Sequence, residues 1–360
     1  MPTCFAVLAT ECLGSLDDVD ADLKRGTAEQ ILGKQSPESG LFRDGDILQR
    51  DVSSHSSAYI TMQHTYFALH ALDALGVAPR YEVRFADRFL SVDYLRGWLD
   101  AGPWDNPWLH SNNFMFALTF LQHQHRVTED SAWMDSFDAI LDYLDERQDP
   151  ETGLWRRDTG RDDRNAVFAA YHFFPYYFWR GRQPAYVERI IDTTLGTQTA
   201  EGFFLPDGGG ACEDLDAVHT LVMMSMVSDH RQEDIRQCLE RCLVATLASQ
   251  KPDGGFCNYN PRRGGLLRQL LLATSADKRC LRRELVPRTW RYSGWRRLEC
   301  PLGQSDMWSA WFRPLTLRVI ADRYPDLYSG APRGPLRQMP GLGWHDADGI
   351  VSAKPALQVG

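Results

Sequence analysis

The chain has 360 residues and a formal charge of −9, with 43% hydrophobic and 24% charged residues, ordinary for a globular protein that buries a large core. That acidic balance excludes a general nucleic-acid or acidic-membrane binder, which needs a basic face. No apolar run approaches the roughly 18 residues of a membrane span. The 11 Trp, 13 Tyr and 17 Phe fill either a big core or a cavity with aromatic walls.

The segment Met1 to Ala9 has a short apolar run and no positive flank, so a secretory signal is not expected. The eight cysteines are scattered, without a Cys-x-x-Cys pair, and Cys238 and Cys242 lie one helical turn apart. That usage reads as a reduced, cytoplasmic protein.

Further along, amphipathic and strongly apolar segments alternate. Residues 18–33, 80–93, 131–146, 185–195 and 233–249 carry one apolar stripe each. Residues 57–75, 112–124, 165–179, 215–227 and 307–320 are apolar and aromatic nearly all round. Between the two kinds a short phrase recurs. Gln35-Ser-Pro-Glu-Ser-Gly40-Leu-Phe42 is echoed by Gln148-Asp-Pro-Glu-Thr-Gly153-Leu-Trp155, Gln198-Thr-Ala-Glu-Gly202-Phe-Phe204 and Gln250-Lys-Pro-Asp-Gly254-Gly-Phe256. The last three begin 50 and 52 residues apart, and the 113-residue gap before them predicts a degenerate copy near residues 90–104. Gln closes a helix, the turn residues reverse the chain, and the aromatic returns to the core.

The predicted fold is therefore all-α: an α/α toroid of five to six helical hairpins in a single domain, with an outer ring of helices covering an inner one. The toroid spans residues 1–325, with a basic, aromatic insertion at 258–304 that contains Trp290, Tyr292 and Trp295 and is expected to fold over the pocket. Residues 266–275 or the tail supply a sixth hairpin. The Gly- and Pro-rich tail, 326–360, packs on the outside of the toroid as irregular chain. No strand is expected.

In such a ring the inner helices start at one mouth, and those starts are polar. They include Ser54-His55-Ser56-Ser57, Asn112 and Asn113, Asp162, Asp163 and Arg164, the run Cys212-Glu213-Asp214-Leu215-Asp216-Ala217-Val218-His219, and Asp306 before Trp308. Helix capping explains about one such residue per helix. It does not explain three acids and a His opening one apolar helix, which makes Glu213, Asp214, Asp216 and His219 the candidate catalytic residues. Two carboxyls in an apolar cup raise one pKa and keep one group protonated as a general acid. Cys212, Asp216 and His219 share a helix face and form a candidate zinc half-site, with a capping acid plus a core Cys and His as the competing reading. Asn112, Asn113, Asp162, Asp163, Arg164, Trp108, Asp306 and Trp308 are candidate substrate-binding residues. His64, His70, His172 and Arg313 read as hydrogen-bonded core residues, with Arg161, Arg164 and Arg313 as the alternative sites for an anionic group of a substrate.

The Gln-x3-Gly-x-Phe spacing at Gln198 and Gln250 resembles the Gln-Trp repeat of squalene-hopene cyclases, related terpenoid cyclases and protein prenyltransferase β subunits, over residues 17–325. The resemblance implies an α/α toroid. It also implies alkene protonation by the middle acid of Asp-x-Asp-Asp, which Asp214-Leu215-Asp216-Ala217 matches in its first three positions. The prenyltransferase zinc set, Asp-x-Cys with a His on a following inner helix, is met here only by Cys212-x-Asp214 in reverse order.

Three functions follow. The leading one is a terpenoid-cyclase-like enzyme acting on an isoprenoid, with no cofactor required and zinc or magnesium as options. The alternative is a carbohydrate-active toroid, a glycoside hydrolase, polysaccharide lyase or epimerase on an oligosaccharide, motivated by Asn112-Asn113 and the exposed-looking loop Trp104-Asp-Asn-Pro-Trp108. The third is a binding toroid without catalysis.

Overall fold

A computed structural model describes residues 1–45, 56–102, 104–155, 163–206, 208–259, 289–292, 298–332 and 339–355. In chain order its helices are α1 (Pro2–Cys12), α2 (Ala21–Leu32), α3 (Ser57–Ala74), α4 (Val92–Asp100), α5 (Pro107–Thr128), α6 (Ala132–Asp145) and α7 (Arg164–Tyr171). They continue as α8 (Phe174–Trp179), α9 (Val187–Gly196), α10 (Ala211–Val227), α11 (Gln232–Ala248), α12 (Met307–Arg323) and α13 (Ala347–Ser352).

Helices α1, α3, α5, α7, α10 and α12 pack on one another in that order, and α12 packs back on α1, which closes an inner ring. Around it, α2 lies against α1 and α3, α6 against α5, α9 against α7 and α10, and α11 against α10 and α12. The all-α toroid expected from the alternating segments is the observed architecture. Its sixth inner helix is α1, at the N-terminus, whose short apolar run is not preceded by a Gln phrase. Residues 266–275 lie outside the described residues.

The repeated phrase works through one side-chain amide. Gln148 Nε2 donates to the Gly153 carbonyl at 2.8 Å and to the Ala185 carbonyl at 2.7 Å, while its Oε1 accepts from Ala185 N at 3.0 Å. The turn is thereby tied to the start of the next outer element. Gln35 does the same with Gly40 and Tyr81, while Gln198 donates to the Gly202 carbonyl and to Cys238 O inside α11, its Oε1 accepting from Arg241. Gln250 keeps only its bond to the Gly254 carbonyl among the described residues. Gly153 has φ +73°, and a Cβ there would stand 2.7 Å from Ile190, so the turn demands glycine. The aromatics Phe42, Trp155, Phe204 and Phe256 are all buried, and Trp155 donates its indole N–H to Leu144 O at 2.7 Å. In the degenerate copy Trp104 takes the aromatic place. It is core, packed edge-on against His110 and Phe114; of the loop expected to be exposed there, Asp105 is exposed and Asn106 and Trp108 are half-buried.

Two further differences from expectation have clear causes. The apolar segment 165–179 is two helices, broken at His172–Phe173 ahead of Pro175, which has no N–H to continue the ladder. Among the described residues there are four very short strands: β1 (Arg182–Gln183) pairs in parallel with β4 (Lys354–Pro355), and β2 (Thr289–Arg291) pairs antiparallel with β3 (Glu299–Pro301).

The tail does not stay outside. Met339, Leu342 and Trp344 are buried, and the segment between them enters the bore of the ring. Leu342 N donates to Tyr66 OH on α3, and Gly343 N to Tyr171 OH on α7, both at 2.8 Å.

Gln148→Ala removes three hydrogen bonds and strands buried backbone groups, each worth about 1 to 3 kcal/mol. Chemical denaturation should show a loss of about 3 kcal/mol or more for Gln148→Ala, and well under about 1.5 kcal/mol for Gln250→Ala, which removes one exposed bond.

Candidate active site

The mouth of the bore, above the tail segment, is a pocket of about 180 Å³. Its walls are aromatic: Tyr59 and Phe67 from α3, Trp108 from the start of α5, Trp308 and Phe312 from α12, and Trp290 and Tyr292 from β2 and the residue after it. Tyr292 packs on Trp308 at 4.6 Å between ring centroids, so the described part of the insertion does cover the pocket. Trp295 lies outside the described residues. Among these rings stand polar groups: Gln63, Asn112, His172, Asp216, Asn258, Tyr259 and Arg291. A larger open depression of about 680 Å³ lies on the outer face of α11 around Gln237 and Arg241, away from all of them.

Asp216 is 1% exposed, and neither carboxyl oxygen makes a hydrogen bond of good geometry. Burial pushes its pKa well above the ordinary carboxylate value, and the nearby Glu213 charge pushes the same way. The Trp108 indole N–H acts in the opposite direction without a well-formed bond. Asp216 faces the pocket, and its surroundings favour the protonated form of the carboxyl.

Beside it, His172 Nε2 lies 4.0 Å from Asp216 Oδ2. Ser111 Oγ donates its one hydrogen to the Trp108 carbonyl at 2.9 Å and stands 2.7 Å from His172 Nδ1. In the tautomer whose Nδ1 donates to Ser111, Nε2 is left as an acceptor on the Asp216 side. Burial drives the His172 pKa down to about 3, so the ring is neutral. A proton donor and a proton acceptor thus sit side by side in one small pocket. Sequence reasoning placed His172 in the core. Its one signal was a polar residue within the aromatic run before Pro175, and its partner Ser111 lies 61 residues earlier.

The other acids of the cluster do different work. Asp214 accepts from Arg313 Nη1 at 2.6 Å, Phe204 N at 2.7 Å and Gly210 N at 3.1 Å. Burial raises its pKa and these donors oppose that, binding it into a charged structural pair. Arg313 is thereby committed inside the fold and donates also to Asn258 O at 3.2 Å. Glu213 accepts from the Tyr259 hydroxyl and the Cys212 thiol, each at 3.0 Å, and burial raises its pKa. Asp306 caps α12 through Ser309 N at 2.8 Å and holds Asn258 N at 3.0 Å.

Of the candidate binding residues, Trp108, Asn112 and Trp308 line the pocket, and Asn113 does not. Arg164 bonds the carbonyls of Thr197 and Phe204, away from it. Asp163 stands at the start of α7, outside the lining, and Arg161 and Asp162 lie outside the described residues, as do Ser54 and His55. The zinc half-site is not assembled. His219 lies a turn deeper than Asp216, where its Nδ1 meets Tyr171 OH at 2.9 Å and its Nε2 meets His345 Nδ1 at 3.2 Å. Burial raises the Cys212 thiol well above its ordinary range, and among the described residues no group of three or more His, Cys, Asp or Glu could hold a metal ion.

No family model matches this chain, and no curated protein matches it in sequence. Among solved structures it is similar to one described as a polysaccharide lyase, with a TM-score of 0.47, 11% identity and 90% of each chain covered. No helix among the described residues is long and apolar enough to cross a membrane.

A carboxyl whose pKa is higher folded than unfolded takes up a proton on folding, so stability falls as pH rises above the unfolded value of 3.8. Asp216→Asn removes that cost. His172 titrates in both proteins, so the comparison isolates Asp216. Thermal melts should place Asp216→Asn at or above the wild type, with a gap that opens as pH rises from 3.8. Asp214→Asn leaves Arg313 buried without its charge partner and should lose about 3 to 5 kcal/mol.

Proposed function

We propose that this chain is a carbohydrate-active enzyme that moves a proton at a single sugar ring, with Asp216 as the acid and His172 as the base. The observation that carries the reading is a buried carboxyl without a well-formed hydrogen bond, set 4.0 Å from an imidazole nitrogen in a pocket of both aromatic faces and polar groups. Indole faces stack on sugar rings, while Asn112, Asn258, Gln63 and Tyr259 offer the donors and acceptors that hydroxyls require.

The donor set favours elimination or epimerisation over hydrolysis. Hydrolysis by the usual route needs two carboxyls flanking the bond. Asp216 is the one carboxyl among the described residues that line the pocket. In an elimination, His172 Nε2 takes the proton on the carbon next to the uronate carboxyl, the C=C bond forms as the C–O bond to the neighbouring glycosidic oxygen breaks, and the Asp216 O–H protonates that leaving oxygen. A bound uronate carboxylate brings a negative charge toward His172 and lifts its pKa toward the working range.

Acid-initiated isoprenoid cyclisation is the second reading. It is favoured by the aromatic walls and by Asp216 holding the acid's position in the partial Asp-x-Asp-Asp match. Size opposes it: about 180 Å³ falls below the roughly 300 Å³ at which pockets begin to take drug-sized ligands, so a long polyprene does not fit.

The test is a ligand panel on the full chain: neutral sugars, uronic acids and their short oligomers, and prenyl alcohols and diphosphates. Ligands that bind only the folded state raise its melting temperature. Uronates or neutral sugars are expected to do so, and turnover should fall by about 10²- to 10⁴-fold in both Asp216→Asn and His172→Gln. Stabilisation by prenyl compounds alone would overturn the carbohydrate reading. Sugar binding without turnover would leave a binding toroid.

A further inference from the structure

The bore of a six-helix ring runs from one end to the other, yet here it is stopped partway by a segment from the far end of the sequence. Residues 341–343 cross it and are pinned on several sides. Tyr66 OH on α3 accepts from Leu342 N, and Tyr171 OH on α7 accepts from Gly343 N, each at 2.8 Å. Tyr171 continues to His219 on α10 at 2.9 Å, and His219 to His345 at 3.2 Å. The glycines on either side of Leu342 have no room for a side chain. A Cβ on Gly341 would stand 2.5 Å from the His70 ring, and one on Gly343, at φ +79°, would stand 2.6 Å from Leu315 on α12. The Gly341-Leu342-Gly343 sequence can therefore press its backbone against two helices and present one side chain, Leu342, to the pocket above.

We infer that Leu342 is the specificity-determining floor of this site: it closes the bore so that a ligand enters end-on, from the mouth only, and no deeper than a single ring. This rests on the reading of the pocket as a sugar site for its ligand class, the terminal ring of an oligosaccharide. The apolar floor lies against the far edge of that ring, and the rest of the chain stays at the mouth. An enzyme built this way works from chain ends and releases its products one unit at a time.

The floor is tested separately from the sugar. Wild type, Leu342→Ala and Leu342→Phe are titrated by calorimetry with straight-chain alcohols of increasing length, which need only an apolar cavity. The wild type should bind short members and reject longer ones past a cutoff. Leu342→Ala should move the cutoff outward, with at least a tenfold gain for the first alcohol that the wild type rejects. Leu342→Phe should move it inward, and it carries the test if Leu342→Ala does not fold. An unchanged cutoff in the folded variants overturns the inference, and so does a wild type that binds no member. The same proteins are then offered a single sugar and its dimer. A shifted cutoff without sugar binding supports the floor and overturns the carbohydrate reading alone.

Discussion

Closing six apolar helices into a ring creates a hole, and the hole governs this molecule. Interiors are packed to the density of organic crystals, and an unfilled apolar bore forfeits the contacts of every side chain that lines it. The chain fills the lower part with its own C-terminal segment, whose Met339, Leu342 and Trp344 are buried, and leaves the upper part open. The pocket is what remains between the plug and the mouth. Its depth, its aromatic walls and its single entrance follow from where the plug stops.

The ring was legible because its joints are sequence-local. A Gln amide that reaches a turn glycine five residues on must keep its spacing, and helices buried on all sides must be apolar on all sides. The joints without that device were harder to read. Helix α1 has no phrase before it, and the second copy ties its turn differently, through His110 Nε2 and the Leu99 carbonyl at 2.8 Å. The plug could not be read at all. Glycine-rich sequence usually means a surface turn, and what makes Gly341-Leu342-Gly343 interior is a set of partners, Tyr66 and Tyr171, 276 and 172 residues away.

The site was half legible for the same reason. Crowded acids at the start of an apolar helix marked α10, and capping could not account for them. Which acid does what depends on contacts that spacing does not encode. Glu213, Asp306 and Arg164 are spent on Tyr259, Ser309 and two backbone carbonyls. His172 is set by a Ser on another helix, 61 residues away in the sequence.

Asp214 and Asp216 bring these strands together. They stand two residues apart on one helix, too far round to share a face. One turns toward Arg313 and two backbone N–H groups and is held as a charged member of the frame. The other turns toward the bore, where no donor is well placed and burial keeps its proton on. Burial raises both pKa values, but the donors around Asp214 oppose the rise while Asp216 has none of good geometry, and that difference gives the two acids separate roles. Asp214 fixes α12 and the Asn258 loop against α10, and that frame holds the pocket wall in place around Asp216. A buried carboxyl left without a partner costs folding free energy. It persists where the surrounding structure is rigid enough to carry it, and the Asp214–Arg313 pair two residues earlier on the helix is part of what makes the structure rigid there.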